Sequence, residues 1–172
     1  MQKSLGFTLV ELVITIAVAA VLVTVAAPTF QSVLAGWRLS NVTNELVAAV
    51  HLARSEAVRT NNNVSLCRAA NAAATACNGG GTWTHWIVVG NGNVIRRGSF
   101  ESFGAIRVSS GFTGDTLTFR PSGMPTVTNT NTNPNTNTIT VCTTANIDDN
   151  VRTISIGPGN RVSIDRDGGD CP

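Results

Sequence analysis

The chain has 172 residues, close to the roughly 150 of a single domain, which leaves no room for a second large globular unit. Only 13% of the residues are charged and the net charge is +2, which excludes a dedicated nucleic-acid binder with a strong basic bias and a disordered polyelectrolyte. Four cysteines without a Cys-x-x-Cys spacing, beside two histidines, favour two disulfides in an oxidising compartment over a zinc site. We therefore expect no metal and no cofactor.

The first predicted element is a long apolar helix. Residues 12–27 carry no charge, and as a helix the segment 7–30 would rise about 36 Å against a hydrocarbon core of roughly 30 Å. We expect residues 7–30 to cross a membrane. The alternative is a secretory signal peptide cut near Ala27, which the sequence Ala26-Ala27-Pro28 fits poorly.

The apolar pattern continues at three- and four-residue steps to about Arg59, so the segment 7–61 is predicted as one helix about 82 Å long. Pro28 lies inside this helix and is expected to kink it, because proline lacks the backbone donor. The cluster Asn61-Asn62-Asn63 is expected to end it, since Asn tolerates the left-handed conformation.

Glu11 is the acidic residue of the apolar segment. In the middle of a bilayer a carboxylate would cost of order 2.5–3.5 kcal/mol, so something should compensate for it. The alternative is that Glu11 lies near the interface and reaches water.

The residues Gly6-Phe7-Thr8-Leu9-Val10-Glu11, followed by the uncharged run, resemble the class III signal of type IV pilins and type II secretion pseudopilins. The resemblance implies that residues 1–6 are a leader, which prepilin peptidase removes between Gly6 and Phe7, and that Phe7 is then N-methylated. It also implies an assembly role for Glu11. A buried carboxylate is stabilised by a nearby positive charge, here the α-amino group of Phe7 on a neighbouring subunit.

Short strands separated by Gly and Asn turns follow the helix. An amphipathic helix from about Phe30 to Val58 should cover one antiparallel sheet, which makes residues 31–172 an α+β head domain, with Trp37 between helix and sheet. Gly90-Asn91-Gly92-Asn93 is predicted as a hairpin loop. The strands are expected at 64–68, 83–89, 94–97, 106–108, 117–120, 138–143, 151–156 and 161–165.

Residues 126–138 are low in complexity and lack long apolar runs, so an exposed loop is expected, either a solvated linker or a partner-binding segment. Four cysteines allow three pairings. We favour Cys67 with Cys77 and Cys142 with Cys171, because each pair closes a short loop, worth about 2.8 and about 3.6 kcal/mol. Such bridges place the head in the periplasm or outside the cell, with Lys3 on the cytoplasmic side.

The head also resembles the GspH/FimT/FimU group of pilins. The resemblance lies in Leu46–Val58, Leu117–Gly123 and the closing Ile154-Ser155-Ile156 and Asn160-Arg161-Val162. It implies a minor pilin like FimU or FimT, assembled with other major and minor pilins at or near the tip of a type IV pilus and supporting pilus assembly and twitching or DNA uptake. Two alternatives remain, a DNA receptor in natural transformation and a GspH-type pseudopilin of type II secretion. Its location would be the bacterial inner membrane, and after assembly an extracellular pilus or a periplasmic pseudopilus.

DNA binding is expected to be weak. In DNA-binding FimT proteins the resemblance points to a Gly-Arg-x-Arg element, and of this the chain keeps Arg161. Arg166, Arg96 and Arg97 are further candidates. Binding through only two or three phosphate contacts would be weak and lost in moderate salt. Nearby aspartates also weaken the positive electrostatic field of these arginines.

No enzyme is expected, and no catalytic residue is proposed. His51 falls in the helix and His85 in a strand, where structural roles are the simpler interpretation. Trp83 and Trp86 are expected in the core or at a subunit contact.

Overall fold

The computed structural model describes residues 7–126, 137–157 and 161–171, leaving aside the side chains of residues 25–29 and 102. Its first element, α1, is a helix over Leu9–Thr60, which confirms the predicted long helix to within two residues at each end. The chain divides into one compact unit, Met1–Leu34, and a second, Ala35–Pro172, here called the head. The predicted leader lies outside the described residues. Pro28 belongs to the helical segment, but its side chain lies outside them, and the kink stays a prediction.

Strands follow α1 through the rest of the described chain. Their bounds are β1 Val64–Ala69, β2 His85–Gly90, β3 Asn93–Ser99, β4 Ile106–Ser110, β5 Thr116–Phe119, β6 Pro125–Thr126, β7 Thr138–Thr143, β8 Val151–Ile156 and β9 Val162–Asp167. Short 3-10 helices at Glu101–Phe103 and Thr113–Asp115 flank β4.

The strands form two antiparallel sheets rather than the one expected. The first sheet has the order β3-β2-β1-β5-β6 and the second β4-β7-β8-β9. The α+β class with antiparallel strands is confirmed, but the prediction of a single sheet is wrong. Alternating apolar residues indicate that a strand has a buried face, and they do not say which strand lies beside it.

One hydrophobic core joins residues of the helix and of both sheets. The buried stripe of α1 is Leu39, Val42, Leu46, Ala49, Val50, Ala53 and Ala57, spaced at three and four residues. Trp37 precedes Leu39 by two residues, about 200° around the helix, and it is 68% exposed. The expectation that Trp37 packs between helix and sheet is therefore wrong. Trp83 and Trp86 do lie in the core.

The predicted hairpin loop joins β2 to β3. Asn91 and Gly92 have φ of 52° and 74°, the left-handed values that a two-residue turn of this hand requires. The predicted loop 126–138 is shorter than expected at both ends, because Thr126 belongs to β6 and Thr138 to β7. Residues 127–136 lie outside the described part.

Two disulfides join Cys67 to Cys77 and Cys142 to Cys171, the pairing that the sequence favoured. Cys67 lies in a small second cluster with Ala69 and Ile87. The segment after β1 packs there through Ala74. The first bridge thus ties this segment to the first sheet, and the second ties the C-terminal tail to β7.

Candidate functional site

The N-terminal motif begins the first unit. Phe7 is 74% exposed, and Glu11 is exposed in the first turn of α1. The Glu11 N–H donates to the Thr8 hydroxyl at 3.2 Å, so Thr8 caps the helix, with Glu11 at the position of the acidic residue in a capping box. A carboxylate at this position also interacts favourably with the positive, N-terminal end of the helix dipole. The sequence carried this signal as Thr-x-x-Glu, and we had not predicted the cap.

Apolar side chains lie open around the rest of this segment. Eleven large ones are exposed between residues 7 and 23, namely Phe7, Leu9, Val10, Leu12, Val13, Ile14, Ile16, Val18, Val21, Leu22 and Val23. An exposed apolar surface of this extent indicates a partner or a lipid environment. Within the part of the chain that the structure describes, no helix satisfies the length and hydropathy required of a membrane span.

The four candidate arginines do not form one basic surface. Arg96 and Arg97 are in β3 of the first sheet, whereas Arg161 and Arg166 are at β9 of the second. Arg97 donates to the carbonyl oxygens of Ala72 and Ala74 at 3.1 and 2.6 Å, so it holds the segment closed by the first disulfide. The neighbouring Arg96 lies on the other face of the strand, where its charge opposes the rise that burial causes in the pKa of Glu45.

Arg166 lies directly opposite Arg152 of β8. Burial lowers the pKa of the Arg152 guanidinium, the charge of Arg166 lowers it further, and Asp149 opposes both effects. Arg161 is exposed beside the start of β9. Residues 161 and 166 differ by an odd number of positions, so in an extended strand they face opposite sides of the sheet. The two arginines therefore do not form one basic surface on a single face of the sheet.

The chain matches the family model for Type II transport protein GspH over residues 42–168, and the prokaryotic N-terminal methylation motif over residues 1–27. The first match covers more than half of the chain. The chain belongs to the GspH family. The two matches agree with the resemblances found from the sequence, one in the N-terminal segment and one in the head.

The GspH-family head is similar to two crystal structures of the type IV minor pilin FimU from Pseudomonas aeruginosa (strain PAO1). Both are 18% identical, with TM-scores of 0.52 and 0.51, covering 74% and 73% of this chain and 87% and 91% of FimU. They show a shared pilin fold. No match was found among curated protein sequences.

Family, motif and fold together make the chain a GspH-family protein with a prokaryotic N-terminal methylation motif and a head of pilin fold. The proteins of this family and fold are structural pilins. The methylation motif and the family imply an inner-membrane anchor, processing by prepilin peptidase and association with other pilins.

Asp115 is a residue of the GspH-family head that sequence reasoning missed. Its buried carboxylate accepts hydrogen bonds from the Gly80 N–H at 2.6 Å, the Ser110 hydroxyl at 2.7 Å and the Trp83 indole N–H at 3.2 Å. A cleft of about 490 Å³ adjoins it. Because both carboxylate oxygens are engaged, Asp115 joins two loops to a core tryptophan and is not poised as a base.

Glu45 is a second missed residue. Burial raises the pKa of its carboxyl, while Arg96 and the Trp86 indole oppose the rise. The Trp86 Nε1 has no well-formed hydrogen bond in the described chain, so the nearby carboxylate attracts it without fully satisfying it. No signal in the sequence placed these three groups together.

The histidines do not form a catalytic site with each other. His51 is exposed on α1, whereas the buried His85 lies in β2 with its Nε2 3.5 Å from the Glu101 carboxylate. The part of the chain that the structure describes contains no group of three His, Cys, Asp or Glu side chains suited to a metal ion.

Proposed function

We propose that the chain is a minor pilin similar to FimU and FimT, incorporated at or near the tip of a type IV pilus. Prepilin peptidase cuts between Gly6 and Phe7 and methylates Phe7. Residues 7–30 then anchor the subunit in the inner membrane with the head in the periplasm, and later pack in the filament core. The subunit supports pilus assembly, and through it twitching or DNA uptake.

The observation that carries this proposal is the exposed apolar helix that lies within the match to the N-terminal methylation motif, residues 1–27. A helix in a soluble head buries a stripe, as α1 does from Leu39 to Ala57, whereas residues 7–23 bury none of the large apolar side chains named above. Lipid before assembly, and neighbouring apolar helices after it, are two environments that cover such a surface.

Mass spectrometry of the protein from its native host tests the processing step. We expect a mature chain that begins at methylated Phe7. A chain that keeps Met1, or one cut near Ala27, would contradict the proposal.

The role of Glu11 can be separated from helix capping. Glu11→Ala should leave membrane insertion intact and reduce incorporation into filaments, because the carboxylate no longer pairs with the amino group of a neighbouring Phe7. Thr8→Ala is the matched control, since it removes the capping hydroxyl and keeps the carboxylate. Equal losses of incorporation in the two variants would assign the effect to the cap and reject the pairing.

A GspH-type pseudopilin of type II secretion is the second candidate, favoured by the family match over residues 42–168. Two disulfides in the head suit a fibre exposed outside the cell and favour the pilus. Deletion of the gene discriminates the candidates. Lost pili and twitching support the minor pilin, and a secretion defect with intact pili supports the pseudopilin.

A DNA receptor is the third candidate, and loss of transformation alone on deletion would support it. The separation of the four arginines argues against it. Titration of DNA at several salt concentrations tests this directly. We expect binding that is weak at low salt and that falls only about 10- to 40-fold further between 50 and 200 mM salt, because contacts to two or three phosphates release few counterions.

A further inference from the structure

The two sheets of the head have four edge strands, and in the described chain these edges differ in protection. β6 has two residues, β3 carries Arg96 and Arg97, and the Val108 carbonyl of β4 accepts the Trp83 N–H at 2.8 Å. Short length, charge and a covering loop are the usual protections of an edge. β9 pairs with β8 over six residues. Its second half, Asp165 to Asp167, is charged, whereas its first half, Val162 to Ile164, carries no charge and leaves that part of the edge open.

The free backbone groups of β9 can be assigned. The Gly157 N–H donates to the Arg161 carbonyl at 2.8 Å, so that pair is a hydrogen-bonded pair of the antiparallel ladder. Alternate residues then face away from β8, and these are Val162 and Ile164 in the first half of β9. In the described chain no further backbone hydrogen bond reaches either residue.

We propose that β9 pairs antiparallel with β9 of a second copy of this chain, about a two-fold axis at Ser163. In this register Val162 of one copy lies opposite Ile164 of the other. Both are the residues with outward-facing backbone groups, so each pair exchanges two N–H···O=C bonds. The second sheet becomes continuous across both copies.

The side chains of this register are self-complementary. Val162 and Ile164 lie on the face of the sheet that carries buried Ile154 and Ile156, and Ile164 is 41% exposed in the single chain. The pairing covers it with an apolar neighbour. On the opposite face Arg161 of each copy meets Asp165 of the other, giving two ion pairs.

Other registers are poorer. An axis at Asp165 or at Arg166 sets like charges directly opposite each other, which destabilises a strand pair. An axis at Ile164 sets Val162 against Arg166. If the register were shifted so that the axis fell between two residues, side chains from opposite faces of the sheet would have to lie directly opposite each other. The register at Ser163 therefore combines an apolar pair with opposite charges.

The contact area is small, so we expect a weak pair that forms between subunits concentrated in one membrane. A two-fold axis is a closed symmetry, whereas a growing filament repeats one contact along a screw. The pair is accordingly a state of subunits before incorporation. This consequence rests on the proposed function, but the pairing itself does not.

Disulfide trapping of the full chain in host membranes tests the proposal. In the pair the two Ser163 Cα atoms are about 4.5 Å apart, within reach of a disulfide. Asp167→Cys is the matched control on the same strand and face, because its two copies would be about 27 Å apart. Under mild oxidant we expect Ser163→Cys to give a covalent dimer at least about fivefold more abundant than Asp167→Cys does.

Exchanging the charges at positions 161 and 165 tests whether the partner of β9 is a second copy of this chain. Asp165→Arg added to Ser163→Cys should remove most of the dimer, and the further change Arg161→Asp should restore it, because the two ion pairs are then re-formed with reversed sign. Filament incorporation of Asp165→Arg alone should be unchanged, so failure of the pairing is distinguishable from failure of the proposed function. Equal trapping at positions 163 and 167, trapping at Ile164→Cys instead, a crosslink only to another protein, or no rescue by the exchange would each overturn the proposal.

Discussion

Replacing Gly98 with alanine should destabilise the head through one named collision. Gly98 in β3 is the cross-strand partner of Trp86 in β2, and the indole lies over the glycine. A Cβ built on Gly98 would fall on the Cε2, Nε1 and Cζ2 atoms of Trp86. Trp86 is 1% exposed, so its ring cannot simply turn aside.

The protein can relieve this collision in two ways, and the one that requires less free energy determines the loss of stability. Expelling the indole, which buries about 150–250 Å², would cost about 4–6 kcal/mol at about 25 cal/mol per Å². Shifting β3 away from β2 is an overpacking response, for which about 1–3 kcal/mol is typical. We therefore expect Gly98→Ala to lower the free energy of unfolding by about 2–3 kcal/mol.

Denaturant unfolding of the full chain in detergent micelles, followed by tryptophan fluorescence, measures the loss. Gly36→Ala is the matched control, because nothing lies within 4 Å of a Cβ there and the residue is inside α1. It should raise the free energy of unfolding by about 0.5–1 kcal/mol.

A second substitution tests the cause. In a Trp86→Leu background the ring is gone, so Gly98→Ala should cost less than about 1 kcal/mol. A Gly98→Ala loss below about 0.5 kcal/mol, or an equal loss with and without the ring, would refute the collision.

Three further predictions concern buried polar groups and the tail. Burial raises the pKa of Glu45, so the folded state binds the proton of this carboxyl more tightly than the unfolded state does. The contribution of Glu45 to the free energy of unfolding is therefore fully present below the ordinary carboxyl pKa, and it is lost as the pH rises through the raised pKa. Glu45→Gln should therefore raise the melting temperature near pH 7 and leave it unchanged near pH 3, by thermal melts at the two pH values. Asp115→Asn should cost about 1–3 kcal/mol in denaturant unfolding, because an amide cannot accept all three hydrogen bonds, while Asn tolerates the φ of 50°. Replacing both Cys142 and Cys171 with alanine should cost about 2–4 kcal/mol and expose the tail to limited proteolysis; an unchanged cleavage pattern would contradict its anchoring.

The local pattern of apolar residues was sufficient to predict most of the helices and strands. Val151–Ile156 and Thr138–Thr143 were predicted with the bounds that the structure has, because alternation within a strand reports its own buried face. β6 was missed, since two residues are too few to show a period. Trp37 was misplaced because it continues the three- and four-residue steps of Val33 and Leu34, whereas the buried stripe begins at Leu39, two residues and about 200° away around the helix.

The sequence by itself determined the membrane-type signal, the long helix, the α+β class and the candidate residues Gly6, Phe7 and Glu11, because each depends on neighbours in the chain. Only the tertiary structure decided that the strands form two sheets, that Arg97 holds a loop, that Arg96 and Arg97 belong to a different sheet from Arg161 and Arg166, and that β9 is an edge strand. Those facts depend on which strands lie side by side. Strand pairing is set by packing between residues far apart in the sequence, and periodicity along one strand does not record it.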